Sequence, residues 1–207
     1  MGIFVFFVKW IPSTSTFFPS LNRFYEKRGG AETCIDEEIP FAIPESWEWV
    51  RLGDLCDFGN CKSIDSDKIN SDAWLLDLED IEKDTGRLIQ RKRKHEIISL
   101  STKHCFYSGQ ILYSKLRPYL NKVMVADEDG YCTSEILPLD FEKVVYNYYA
   151  QAYLMAPFFV EYATQCSYGV KMPRLSTKDG KNALFPLPPL GEQGRIVSKI
   201  QELLTVI

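Results

Sequence analysis

Apolar and polar positions change their period several times along the chain, and each change marks an element. Between Arg51 and Phe58 the apolar residues Leu52, Leu55 and Phe58 fall three apart, which predicts a short helix ended by Gly59-Asn60. Trp74 to Leu78 is a short apolar run that predicts a buried strand. Gln110 to Leu116 alternates after the Ser108-Gly109 turn and Lys122 to Ala126 is β-branched. Asp127-Glu128-Asp129-Gly130 predicts a hairpin turn into Tyr131 to Leu137. After Phe141 the period becomes helical, with Val145, Tyr148, Ala152 and Met155 on one stripe, and Pro157 ends that helix or opens the next. The second helix is expected to stop near Gly169. Ser176 with Asp179 three residues on reads as a capped helix start, and a Pro-rich stretch, Phe185 to Pro189, leads to the final helix.

In that last helix Ile196, Ile200, Leu203 and Ile207 recur at spacings of four, three and four, a coiled-coil seam rather than a broad globular face. The seam reaches residue 207 within fewer than two heptads. Isolated helices below about 12 to 15 residues are marginal in water, so this one is expected to pack on something else. Two prolines, Pro40 and Pro44, followed by Trp47 and Trp49, mark where the folded body is expected to begin. Strands followed by helices make α+β the expected class: a mixed β-sheet domain with packed helices, then the start of a long coiled-coil-type helix. Residues 1–38 read as a tail, 39–186 as the domain and 187–207 as the helix.

A chain of 207 residues, 45% apolar and 25% charged, has material for one sizeable core. Its net charge of −4 would argue against nucleic acid if it were evenly spread, but residues 1–86 carry −9, residues 87–122 carry +8 and residues 123–207 carry −3. The six cysteines show no Cys-x-x-Cys spacing and only His95 and His104 could join them, so no zinc site is expected and the thiols read as those of a reduced, cytosolic protein. Ile3 to Val8 is too short for a membrane span or a signal, and Gly2 lacks the Ser or Thr at position 6 that myristoylation needs, so no membrane partner is expected.

Phosphate-loop, dinucleotide, metalloprotease and nucleophile-elbow motifs are all missing. His104 and Cys105 are adjacent, and neighbours on a strand point to opposite faces, so they do not read as a catalytic pair. Asp77, Glu79, Asp80, Glu82 and Asp84 could hold Mg²⁺ but read as a solvated loop. No catalytic residue and no metal site is therefore expected. What remains is the basic block, Arg87, Arg91, Lys92, Arg93 and Lys94, then Lys115, Arg117 and Lys122 interleaved with Tyr113, Tyr119 and Asn121. Cations at this density match a phosphate backbone, and the Tyr and Asn side chains can bond phosphates or base edges. The competing reading is an edge strand kept soluble by Lys and Arg. Pro118 holds Arg117 extended, which puts Lys115 and Arg117 on a rigid tip. Tyr168, Lys171 and Arg174, in the loop after the second helix, form a further candidate, as do Lys62 and Ser63 after the Gly59 turn.

Several segments together resemble the specificity (S) subunit of type I DNA restriction-modification enzymes. They are Ile43-Pro44-Glu45-Ser46-Trp47-Glu48-Trp49-Val50-Arg51-Leu52-Gly53, Ser108 to Lys122, Met172-Pro173-Arg174-Leu175-Ser176, and Leu187-Pro188-Pro189-Leu190 with Glu192-Gln193 and Arg195-Ile196-Val197. The resemblance spans residues 39–207 and implies a DNA target recognition domain followed by a conserved spacer helix. A full subunit has two such units, whose helices pair antiparallel and whose domains each read one half of a bipartite site in double-stranded DNA. It implies no catalysis and no bound cofactor. The subunit docks methylation subunits, which use S-adenosylmethionine, and through them restriction subunits that use ATP and Mg²⁺. One unit is present, so the chain resembles a half-length subunit or a fragment, with self-association or a second half subunit as its partner. Gly191 and Gly194 stand where the family usually has Ala and a longer polar residue, and each costs about 0.8 to 1 kcal/mol of helix stability relative to Ala. On this reading the residue 87–122 cations position phosphates, while Lys115, Arg117, Tyr119, Asn121, Tyr168, Lys171 and Arg174 reach the groove, Arg suited to guanine and Asn to adenine. The other readings are a recognition piece of a single-chain restriction-methylation enzyme, and a protein-interaction module without DNA specificity.

Overall fold

The structure, a computed structural model, describes residues 8–11, 23–28, 30–98, 101–141 and 144–204. Its first half is built from short strands: β1 (Val8–Ile11), β2 (Arg23–Arg28), β3 (Ala31–Cys34), β4 (Glu48–Arg51), the one-turn helix α1 (Leu52–Leu55), β5 (Ser63–Ile64), β6 (Trp74–Leu76) and β7 (Lys92–Arg93). There follow β8 (Lys103–Phe106), β9 (Ile111–Ser114), β10 (Val123–Val125), β11 (Gly130–Thr133) and β12 (Ile136–Leu139). The helices come after: α2 (Asn147–Leu154), α3 (Pro157–Gln165), α4 (Thr177–Asn182), then β13 (Leu184–Leu187) and α5 (Leu190–Leu204). The class is α+β, as the element order predicts.

Strand β9 sits at the centre because both of its faces are covered. It runs antiparallel between β10 and β12, and all four of its residues are buried. Ile111 and Tyr113 join a core with Phe58, Val50, Phe185 and the buried faces of α2 and α3, while Leu112 joins a second core with Trp74, Phe106 and Cys132. That second core lies against the sheet β5-β8-β11-β6-β7, antiparallel except for the parallel β11–β6 pair. Local stops and starts follow from single residues. Helix α1 ends at Leu55, short of the expected Phe58 and Gly59 stop, and Gly59 at φ +82° turns the chain after it; Pro157 occupies the first turn of α3, and the Ser176 hydroxyl accepts from the Asp179 amide at 3.0 Å to cap α4. Helix α4 then lies so close to Phe58 that a Cβ on Gly180 would stand 2.1 Å from the ring.

Several sequence expectations are corrected. Residues 127–130 do not close a hairpin: β10 pairs with β9, whereas β11 pairs with β8 and β6 in the other sheet. Gly130 accounts for the switch, since any Cβ there would meet the Phe106 ring at 2.6 Å and the Trp74 carbonyl at 2.9 Å, and only glycine lets the strand in. Helix α2 buries Tyr149, Ala150 and Leu154, and Tyr148 on the expected stripe is 52% exposed. The Tyr149 hydroxyl donates to the Pro186 carbonyl and the Tyr153 hydroxyl to that of Leu184, which fixes this phase against β13. β13 itself, unforeseen in the Pro-rich stretch, pairs antiparallel with β4.

The final helix also departs from expectation, because its first half packs on its own domain. Gln193 is fully buried, its Nε2 donating to the Pro188 carbonyl and its Oε1 accepting from the Tyr146 amide, and Ile196 and Val197 lie half-buried against the larger core. Ile200 is half-buried, Leu203 is exposed and Ile207 lies outside the described residues. Among the described residues no helix is long and apolar enough to cross a membrane.

Part of the segment expected as a tail, residues 24–28 and 30–38, belongs to the packed body. Ile35 is buried with Trp49 and Leu184, and the buried Arg51 guanidinium bonds Glu26 at 2.9 and 3.1 Å, Glu38 at 2.6 Å and the Asn182 carbonyl at 2.6 Å. Burial raises the Glu26 pKa, but the hydrogen bond and charge of Arg51, with Arg28, outweigh it and hold the carboxyl below its usual 4.5. A carboxyl depressed in the folded state stabilises above its unfolded pKa, and that stability is lost as pH falls through the folded value. Urea unfolding should therefore show stability falling below pH 4.5, with a smaller fall in Glu26→Gln, and Arg51→Met, which leaves Glu26 without its main partner, should cost about 3 kcal/mol at neutral pH. Identical acid limbs in the two proteins would count against this anchor.

Candidate nucleic-acid interface

The basic block of the sequence is largely neutralised in space. Arg91 lies over the Trp74 ring, 4.2 Å from its centroid, and bonds Asp127 at 2.6 and 2.7 Å and Glu128 at 2.5 Å. Arg93 bonds Glu128 at 2.5 Å, and Lys92 bonds both Glu79 and the fully buried Asp80 at 2.6 Å. The bonds to Asp80 and then Glu79 hold the Lys92 pKa above the usual lysine range, and those from Arg93 and then Arg91 hold Glu128 below the usual carboxylate range, against the opposing pull of burial. These cations tie β7 to the 127–130 turn and to the acidic run, so Arg91, Lys92 and Arg93, expected to position phosphates, are engaged in ion pairs within the domain. Asp80 also accepts from Gln90 and the Asp77 amide, which gives the acidic run a structural task. Lys94 is half-buried in the 3-10 turn after β7. Exposed Lys62 and Ser63 lie at β5, the opposite edge of the same sheet from β7. Four strand spacings of about 4.8 Å separate those edges by roughly 19 Å, so the structure does not bring the two groups together.

A different cluster is assembled where β9 ends. The Arg117 amide donates to the Pro173 carbonyl at 2.7 Å, Leu175 to Lys115 at 3.0 Å and Lys115 to Glu135 at 3.0 Å. Tyr168 and Arg174 exchange a pair of backbone bonds at 3.1 and 2.9 Å. Leu116 forms an antiparallel bridge to Arg174, which thus lies between two neighbours. The Arg174 guanidinium then grips Glu135 with Nε at 3.0 Å and Nη2 at 2.8 Å, and its Nη1 donates to the Met172 carbonyl at 3.1 Å. Two loops far apart in sequence become one tip.

The tip is strained at two points. Arg117 and Asn121, on either side of the Pro118–Leu120 turn, both take φ +49°, a left-handed conformation that non-glycine residues rarely adopt and that tends to mark functional sites. Asn121 donates from Nδ2 to the Met155 carbonyl at 3.1 Å, beneath the end of α2, and its Oδ1 is buried without a hydrogen-bond partner among the described residues. Asn121 is thus turned inward and braces the tip, contrary to its expected reach for adenine. Lys122 likewise donates to the Leu78 carbonyl at 2.6 Å, and Arg174 is fully engaged with Glu135 and Met172. Arg117 differs: Nη2 has a single long bond, 3.3 Å, to the Lys171 carbonyl, and Nε is buried with no partner among the described residues. Tyr119, Tyr168 and Lys171 are exposed and Lys115 half-buried. Burial raises the pKa of the Cys61 thiol, and the Lys115 charge opposes it.

Among the described residues no three His, Cys, Asp or Glu side chains are grouped to hold a metal ion. Burial pushes the Cys56 thiol up to about 12, and His104 bonds the Ile136 carbonyl through Nδ1 at 2.9 Å. Glu135 and Gln193, which hold the tip and the final helix, had no assigned role in the sequence reading. Gln193 is signalled by the Glu-Gln pair after Leu-Pro-Pro-Leu, whereas nothing local to Glu135 announces its partner.

A mixed-sheet body that braces a cationic, tyrosine-bearing tip and passes directly into an amphipathic helix defines an α+β domain with an appended packing helix. The family model of the type I restriction modification DNA specificity domain matches residues 44–207, and the chain belongs to that family. It is 31% identical over 168 residues to the type I restriction enzyme EcoDI specificity subunit of Escherichia coli, and 31% over 179 residues to the EcoAI specificity subunit of the same organism. These alignments cover 81% and 82% of this chain but only 37% and 30% of those subunits. The crystal structure of the HsdS subunit from Thermoanaerobacter tengcongensis superposes with a TM-score of 0.68 at 25% identity, over 81% of this chain and 44% of that one.

If the Glu135–Arg174 grip holds the two loops together, Glu135→Gln should accelerate hydrogen exchange at the Arg117 and Leu175 amides by roughly ten- to hundred-fold, the worth of a charge-assisted bond. Exchange in β9 should not change. Unaltered exchange at both tip amides would show that the backbone bonds alone suffice.

Proposed function

We propose that this chain is a DNA-reading unit of a type I specificity subunit: its domain recognises one half of a bipartite site and its final helix takes part in docking methylation subunits, and through them restriction subunits, in the cytoplasm. The single observation that carries the reading is the tip, where the Ser-Lys-Leu-Arg-Pro-Tyr segment and the Met-Pro-Arg-Leu-Ser segment are laced together with Arg117 left short of hydrogen-bond acceptors. The Nη2 of Arg117 carries only one long bond, to the Lys171 carbonyl, and a guanine edge supplies two acceptors to an arginine fork. Lys115 and Lys171 are placed to take phosphates, with Tyr119 and Tyr168 beside them. Arg174, Asn121 and Lys122 act as braces. On this reading the unit performs no chemistry, and S-adenosylmethionine, ATP and Mg²⁺ belong to the partner subunits. Ile200 and exposed Leu203 continue the seam of α5 beyond its own domain and suit a partner helix, from a second specificity unit or a second copy.

The test is to express the chain with its methylation subunit and sequence the modified DNA of the host. A new methylated motif that depends on this chain supports the reading; methylation indifferent to it, or absent, contradicts it. With the site known, Arg117→Ala should lose about 1 to 3 kcal/mol of discrimination at one base pair, while Lys171→Ala should weaken all sequences alike and reduce the salt slope by about one phosphate contact, both read from binding titrations at several salt concentrations. An Arg117→Ala protein with unchanged sequence preference would remove Arg117 from the reading set.

A further inference from the structure

The tip presents an apolar point that its cations do not explain. Between the paired backbone bonds of Tyr168 and Arg174 the chain turns at Gly169, φ +103°, and projects Val170, which is completely exposed, followed by Lys171 and by Met172 at 45% exposure. Neither Val170 nor Met172 joins any of the hydrophobic cores. The loop carrying them is nevertheless held by Arg174, Glu135 and the Met172 carbonyl, so a position built rigidly into the fold displays a branched hydrocarbon to solvent.

Width decides what such a point can enter. The bridges Leu116 to Arg174 and Tyr168 to Arg174 set three chain segments side by side. The loop that projects Val170 springs from only two of them, the bridged Tyr168 and Arg174, and such a two-stranded ribbon enters the major groove of about 12 Å but not the minor groove of about 6 Å. In the major groove the hydrocarbon presented by a base edge is the C5-methyl group of thymine. Side chains that wedge between base steps are chiefly larger ones, Phe, Leu, Ile or Met, used in the minor groove, and Val170 is short for that purpose. Lys171 beside it supplies the charge that complements the phosphates lining the same groove.

We infer that Val170 is a specificity-determining residue that reads a thymine methyl group in the major groove of the half-site. This rests on the DNA-reading function proposed above and adds to it a base, a groove and a contact atom. The experiment uses the complex of the chain with its methylation subunit and a duplex carrying the mapped site, in which each thymine of this chain's half-site is replaced in turn by deoxyuridine, so that one methyl group is removed at a time. One replacement should weaken the wild-type complex about four-fold, the worth of a single buried methyl group, and the same replacement should leave the affinity of Val170→Ala unchanged. Val170 touches no core, so the variant keeps its fold. The inference is overturned if no replacement weakens the wild-type complex, if Val170→Ala stays equally sensitive at the same position, or if the half-site contains no A·T pair. A wild-type complex that binds the site no better than unrelated duplex defeats the DNA-reading function itself, and the inference with it.

Discussion

The grip of Arg174 on Glu135 is the constraint on which the functional end of this domain depends. Residues 114–122 and 168–175 are separated by some fifty residues and belong to a strand exit and a helix exit, with no local reason to meet. Bringing two such loops together forfeits chain entropy, and each ordered residue adds about 1 to 2 kcal/mol. A planar fork that bonds both carboxylate oxygens, with a third donor on the Met172 carbonyl, offsets part of that cost and fixes orientation as well as distance. Lysine could supply the charge but not the fork. Strain at Arg117 and Asn121 is tolerated because this clamp and the Met155 carbonyl hold the segment from both sides.

Beneath the tip, β9 couples the braced loops to the rest of the body. Every residue of β9 is buried, on two different cores, and the tip leaves it directly at Ser114. A displacement of α2 and α3 on one side, or of the large sheet on the other, would reach Lys115 and Arg117 through the same strand. The terminal helix reports on this body too, since Gln193 bonds both the Pro188 carbonyl and the Tyr146 amide that leads into α2. The final helix is thereby tied to the same body that carries the tip.

What was legible in the sequence was whatever local chemistry decides. The one-turn helix at Leu52 to Leu55, the buried strand at Trp74, the proline opening of α3 and the serine cap of α4 all depend on neighbours within a few residues. Pro118 announced a turn but not its conformation, since Arg117, expected to be extended, is left-handed at φ +49°. Illegible were the features set by distant partners: the sheet switch at Gly130 depends on Phe106, the phase of α2 on β13, and the burial of Ile35 on Trp49 and Leu184. The charge pattern misled for the same reason. A block of +8 along the chain becomes a web of ion pairs once Glu79, Asp80, Asp127 and Glu128 fold beside it, while at the tip Lys171 is exposed and Lys115 half-buried.

The central claim, that the braced tip rather than the basic strand meets DNA, is tested most directly by hydrogen exchange of the complex with methylation subunit, with and without a duplex carrying its site. The account predicts slowed exchange on DNA binding at amides within residues 115–121 and 168–174, with those of Arg91 to Lys94 unchanged. Protection concentrated at Arg91 to Lys94, with the tip unaffected, would contradict it.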